Sequence, residues 1–261
     1  MTALALPAIA AFTAPNSWQA IDFISDLHLA PDTPHGFDAW AAYMRSTRAD
    51  AVFILGDLFE VWVGDDSRHE GFEAACAEVL RQAAATRAVA FMAGNRDFLV
   101  GAEMLAACNV ARLADPTVIT AFGSRVLLTH GDALCLADTS YQKFRAMVRN
   151  PAWQASVLTR PLAERRALAR EVRHESERRH GAMQPEWLDL DPAASVEWMN
   201  AADAPVLVHG HTHRPADQLL QPGHTRHVLS DWDLDQAATP RADVLRWTRD
   251  GLRRITPQDA G

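Results

Sequence analysis

"ADAVFILG", residues 49–56, is an apolar run closed by a glycine, and Asp57 follows at once. A run this short, with no polar alternation, reads as a strand buried on both faces. The same design recurs in "AIDFIS" (20–25), "AVAFMAG" (88–94) and "SRVLLTHG" (124–131), and "ADAPVLVHG" (202–210) returns to it later. Helical patterns at 37–48 and 70–86, and a shorter one at 104–110, lie between these runs. Alternating strand and helix predict an α/β fold.

The bulk numbers narrow the class. A chain of 261 residues suffices for one large α/β domain or a core with an inserted subdomain. A net charge of −8 argues against a nucleic-acid duplex as partner, because such proteins carry a basic excess. Cys76, Cys108 and Cys135 are odd in number and form no C-x-x-C pair, which reads as buried free thiols in a reducing compartment. The N-terminal "MTALALPAIAAFTA" is apolar but lacks a basic leader, and Pro7 and Pro15 interrupt it. Residues 1–17 are expected to be a disordered or loosely packed extension. No stretch approaches the ~20 apolar residues of a membrane span.

The pattern changes after the fourth strand. From 139 to 199 no strand is evident. Trp153, Val157, Leu158 and Leu162 fall at helical spacing, as do Leu168 and Val172. Arg160, Arg165, Arg166, Arg170, Arg173, Arg178 and Arg179 share the segment. Residues 139–200 therefore read as a basic, amphipathic helical insertion between core segments 18–138 and 201–256. Two or three further strands are expected over 224–256, around "SDWD".

Side chains of the ligand type stand just beyond the strands. They are Asp26 and His28, Asp57, Asn95, His130, and then His209, His211 and His213. One such residue is ordinarily a turn or a cap. Five strand ends carrying them make that explanation improbable, and this edge of an α/β sheet is where ligands bind. If the D-x-H and H-x-H segments are extended, alternate side chains point the same way. Asp26 and His28 then reach one point, and so do His211 and His213. Oxygen and imidazole donors without thiolate suit Mn, Fe, Zn or Co. Seven ligands exceed one four-coordinate ion and fit two divalent ions bridged by a carboxylate, a device for phosphoester hydrolysis.

The ordered set D-x-H, G-D, G-N-x-D, H-G and G-H-x-H over residues 21–213 resembles the calcineurin-like metallophosphoesterases. The resemblance implies a sandwich of two mixed β-sheets flanked by helices. It implies one ion on Asp26, His28, Asp57 and His213, and another on Asp57, Asn95, His130 and His211, with Asp57 bridging. His209 is left as a strand or supporting residue. Where many members have a histidine after the asparagine, this chain has Arg96. Arginine cannot act as an acid near neutral pH. It can clamp phosphate oxygens, which favours cleavage of a pyrophosphate bond, where the leaving phosphate needs no proton.

"GDLFEVWVGDD", "GNRDFL", "THGDALCLADTSYQKFR" and "HGHTHRP" are similar to the manganese-dependent UDP-2,3-diacylglucosamine diphosphatases of lipid A synthesis. That resemblance implies hydrolysis to UMP and 2,3-diacylglucosamine 1-phosphate, by water attack on the α-phosphorus with Mn2+ as cofactor. It makes 139–200 a helical lid over the acyl chains. It assigns substrate contacts to Asn95, Arg96, Asp138, Arg173, Ser176, His180 and His211. The partners implied are the acylated UDP-sugar and the inner-membrane surface, with no nucleic acid, for a cytoplasmic peripheral protein. Rival readings are a pyrophosphohydrolase of soluble nucleotide-sugars or dinucleotides, a nuclease or cyclic phosphodiesterase, and a non-enzymatic scaffold.

Overall fold

The computed structural model describes residues 6–180 and 189–261, without the side chains of 172–180. Two six-stranded mixed sheets form its centre. In the first, β2 (Ile21–Ile24), β3 (Ala51–Leu55), β4 (Ala88–Met92) and β5 (Ala111–Leu113) run parallel. At the other edge of β2, β11 (Val244–Thr248) and β12 (Gly251–Ile255) add antiparallel. The second sheet has β1 (Ala10–Thr13), β6 (Thr117–Ala121), β7 (Ser124–Thr129), β8 (Val206–His209), β10 (His224–Val228) and β9 (Ala216–Gln221), in that spatial order.

Alternation along the strands builds four layers. Phe23, Phe53, Leu55 and Met92 face the second sheet and meet Ile119, Val126, Leu128 and Val208. The intervening Ile24, Val52, Ile54 and Phe91 face outward. They pack on Trp40 and Met44 of α1 (Pro34–Ser46), Leu80 of α2 (Gly71–Ala84) and Met104 of α3 (Ala102–Ala107). Both faces of β3 are thus covered, which is why 51–55 is apolar without a break. Each such large side chain contributes ~1.5–3 kcal/mol by its burial. On the far side, Val118, Leu127 and Leu207 pack under Trp198 and Met199 of α7 (Pro192–Ala201).

The expectation of a disordered or loosely packed N-terminus is corrected at β1. Ala10–Thr13 pairs in parallel with Thr117–Thr120. Phe12 packs edge-on against Phe53, with ring centroids 5.6 Å apart, and so helps to close the inter-sheet core. The strands β5, β6 and β9 also carry no clear sequence signature. The first has three residues, and the last is mostly exposed at a sheet edge.

Among the described residues between 139 and 201 there are four helices and no strand. Asp138 caps α4 (Thr139–Val148) by accepting the Tyr141 N–H. Asn150 caps α5 (Pro151–Leu158), which has proline at its first position. The helix α6 (Leu162–His180) follows, and its Arg165 is 4% exposed. Arg165 grips both Asp66 carboxylate oxygens and the Val63 carbonyl, tying α6 to the loop beyond β3. Arg173, Ser176 and His180 fall on α6, but their side chains lie outside the described residues. The later α7 packs on the second sheet and belongs to the core layers.

A buried ion pair closes the first sheet. Arg246 donates to both oxygens of Asp22 at 2.7 and 2.9 Å, and Tyr43 and Thr47 hydroxyls donate to the same carboxylate. Replacing Arg246 with methionine leaves a buried, uncompensated carboxylate. We expect a loss of ~3–5 kcal/mol in denaturant unfolding. A loss under about 1 kcal/mol would show that the pair contributes little.

Candidate metal centre

All seven predicted side chains gather where the C-terminal ends of β2, β3, β4, β7 and β8 meet. The backbone takes an uncommon route to bring them there. Asp26, His28, Asp57, His211 and His213 have φ of 53°, 49°, 52°, 68° and 53°. Non-glycine residues seldom occupy this left-handed region, and each costs about 1–3 kcal/mol that the surroundings must offset. The segments are therefore not extended, which corrects the argument from alternation. Asp26 and His28 still converge, with His28 Nε2 4.0 Å from Asp26 Oδ1. His211 and His213 diverge into two different groups.

In the first group, His28 Nε2 and His213 Nε2 face each other at 3.1 Å, and His213 Nε2 lies 3.5 Å from Asp26 Oδ1. In the second, the Asn95 side-chain oxygen sits 2.8 Å from both His130 Nε2 and His211 Nδ1. His130 Nε2 is 3.7 Å from Asp57 Oδ2. Donor atoms of Asp26, Asp57 and His130 all lie within 4.8 Å of one another, so the groups adjoin. Ring nitrogens turned toward one another, and an amide oxygen held between two imidazoles, form a converging donor set of oxygen and nitrogen. That set fits two divalent ions, and nothing in it is a thiolate.

Close backbone contacts leave the room. A Cβ at Gly94 would stand 2.1 Å from Asp57 Oδ1 and 2.4 Å from the Asp57 nitrogen. A Cβ at Gly210 would stand 2.2 Å from Asp26 Oδ2. These glycines let one loop lie directly against the carboxylate of another. Backbone N–H groups then fix the carboxylates. His211 donates to Asp26 at 2.9 Å, and Arg96 donates to Asp57 Oδ1 at 2.9 Å.

The electrostatics follow from crowded, buried charge. Burial opposes ionisation of Asp26, but its hydrogen bond to His213 and the charges of His213, His130 and His28 outweigh it and hold its pKa well below the usual carboxylate range. Burial also opposes charging His130, yet Asp57, Asp26 and Asp132 push its pKa up to about 9. Burial and the neighbouring His130 take His211 down to about 3. The ionised carboxylates thus concentrate negative charge at one point and favour a cation there, as a metal site requires.

Several assignments sharpen. His209 is fully buried, its Nδ1 2.8 Å from the Gly210 carbonyl, and it stays outside both groups, as the sequence reading had it. Asp97 accepts the Leu58 and Gly94 N–H groups and so locks the turn. Asp65 accepts from Trp62, Gly101 and Met104. Neither pairs with Arg96, whose Nη1 instead meets Glu60 Oε1 at 2.5 Å. Sequence reasoning passed over Glu60, and it noted the residues around Asp231 only as the "SDWD" amid the strands expected over 224–256. It also missed Tyr141, whose ring lies 5.8 Å from that of His211 and whose hydroxyl donates to Asp132. Such contacts cross between loops and leave no spacing signal.

The Gly94 contact is testable. Gly94→Ala should cost about 1–3 kcal/mol by overpacking. It should also abolish the rise in Tm that Mn2+ gives the wild type. A variant that keeps that rise would show that Asp57 can shift without harm.

A model of the calcineurin-like phosphoesterase family matches residues 20–215. A UDP-2,3-diacylglucosamine hydrolase of Bordetella pertussis is 42% identical over 236 residues, covering 88% of this chain and 92% of that one. One of Chromobacterium violaceum is 48% identical over 218 residues, covering 82% and 90%. Among solved structures, an archaeal phosphodiesterase superposes with a TM-score of 0.46 at 12% identity, covering 90% of this chain and 98% of that one. The family match over residues 20–215 and the identity of 42–48% with these relatives show the family: this chain belongs to the calcineurin-like phosphoesterases.

Proposed function

We propose that the protein hydrolyses the pyrophosphate bond of UDP-2,3-diacylglucosamine, giving UMP and 2,3-diacylglucosamine 1-phosphate for lipid A synthesis. The carrying observation is the identity of 42–48% with hydrolases named for that substrate, over most of each chain. Arg96, beside Asn95 and aimed into the same cleft as His28 and His213, supports the bond assigned.

Asp26, His28, Asp57 and His213 would hold one ion and Asp57, Asn95, His130 and His211 the other, with Mn2+ the metal we assign. When bound, such ions supply Lewis acidity and lower the pKa of a water. The chain's own residues do the rest. Asn95 contributes a neutral oxygen, so it adds a donor without adding negative charge beside Asp57. The Arg96 backbone N–H orients Asp57, and its guanidinium clamps phosphate oxygens as charge grows. The lipid phosphate leaves as an anion and needs no proton from the protein.

Helices α4 to α6 serve as the lid. Met147 and Leu158 are 46% and 43% exposed there, and Val61 on the facing loop is 43% exposed, which suits acyl chains or a lipid surface. Asp138 caps α4, so its contact with substrate would come through the oxygen left over. Arg173, Ser176 and His180 on α6 complete the assigned contacts. Among the described residues no helix is long and apolar enough to cross a membrane. We assign a cytoplasmic protein held peripherally at the inner membrane.

Hydrolysis in oxygen-18 water tests the reading. Label should appear in UMP with Mn2+ present and vanish with a chelator. Label in the sugar phosphate, or equal turnover of a nucleotide-sugar without acyl chains, would contradict it. Arg96→Ala should lower kcat by about 10²–10³-fold. An unchanged kcat would remove Arg96 from the site's chemistry.

A further inference from the structure

The two histidines of the first group present Nε2 to one point, 3.1 Å apart. Their other ring nitrogens each face a carboxylate. His28 Nδ1 lies 3.1 Å from Glu60 Oε2, and His213 Nδ1 lies 3.6 Å from Asp231 Oδ2. Each carboxylate is held in turn by an arginine. Arg96 Nη1 meets Glu60 Oε1 at 2.5 Å, and Arg241 grips both Asp231 oxygens at 2.7 and 2.5 Å. The cleft is thus flanked by two histidine–carboxylate–arginine chains.

The chains differ in what the arginine can do. Arg241 makes a two-point contact with Asp231, so both carboxylate oxygens are engaged. Arg96 follows Asn95, lines the cleft beside His28 and His213, and meets Glu60 Oε1 through Nη1. Its guanidinium has donors to spare, and a phosphate group offers more charge and a better geometric match than one carboxylate oxygen.

We propose that Glu60 is a positioning residue with two faces, an inference that rests on the function proposed above. Through Oε2, close to Nδ1 but outside hydrogen-bonding alignment, its charge favours the proton on Nδ1 of His28 and leaves the Nε2 lone pair to the ion. Through Oε1 it holds Arg96 over the cleft until a substrate phosphate takes the arginine's free donors. Asp231 performs only the first task, for His213. At 3.6 Å it acts through its charge, since that separation exceeds hydrogen-bond length. Glu60 therefore links the metal subsite to the phosphate clamp, and Asp231 does not.

The test compares Glu60→Gln and Asp231→Asn, each alone and combined with Arg96→Ala. Calorimetric titration of chelator-stripped protein with Mn2+ reads the first task. Both single variants should weaken Mn2+ binding by about 10-fold or more. Turnover at saturating Mn2+ reads the second. Glu60→Gln should lower kcat by a larger factor when Arg96 is present than in the Arg96→Ala background, where only its effect through His28 is left. Asp231→Asn should change kcat by the same factor in both backgrounds. Glu60→Asp keeps the charge but shortens the reach. It should show the same coupling to Arg96, and it replaces the glutamine variant if circular dichroism shows that one unfolded.

Mn2+ affinity of Glu60→Gln within about twofold of wild type would overturn the link to His28. Independent, multiplying losses from Glu60→Gln and Arg96→Ala would overturn the link to the clamp. A wild type that binds Mn2+ but leaves UDP-2,3-diacylglucosamine intact would contradict the proposed function instead. The Mn2+ affinities would then judge Glu60 alone.

Discussion

The contact of Gly94 with Asp57 is the constraint from which the rest of the site follows. The turns after β3 and β4 approach so closely that the Asp57 carboxylate occupies the space where a side chain at 94 would begin. Parallel neighbours in one sheet make this possible, because their C-terminal ends finish side by side. The same approach delivers the Arg96 N–H to Asp57 and sets Asn95 between His130 and His211. One backbone contact therefore fixes a carboxylate, an amide and a cation relative to two histidines from the other sheet.

The sandwich supplies the rigidity that such a site requires. Five of its donor residues sit in a left-handed backbone region that only strong surroundings sustain. Directly beneath them lie two sheets whose inner faces interlock through large apolar side chains. Helices cover both outer faces, so the strand ends cannot drift. Strain gathers at the edge where the ligands lie, and the packed layers under that edge hold it in place.

Much of this was legible in the chain, for physical reasons that differ by residue. The unbroken run 51–55 announces a strand covered on both sides because each of its side chains is in fact buried. The ligand set is legible by order, since every strand end that reaches the site must carry a donor. Strand β1 is not legible, because four residues gain their strand character only from pairing with Thr117–Thr120 far along the chain. The divergence of His211 and His213 is hidden as well. Alternation presumes extended backbone, and both residues have positive φ. Glu60 and Asp231 escape notice because a carboxylate behind an imidazole is set by loop packing and not by any spacing.

The proposed metal centre is a pair of ions sharing Asp57. Anomalous diffraction from crystals grown with Mn2+ should reveal it. Two anomalous peaks about 3.5–4 Å apart are expected, with Asp57 touching both. A single peak, or two peaks with Asp57 bound to only one, would contradict it.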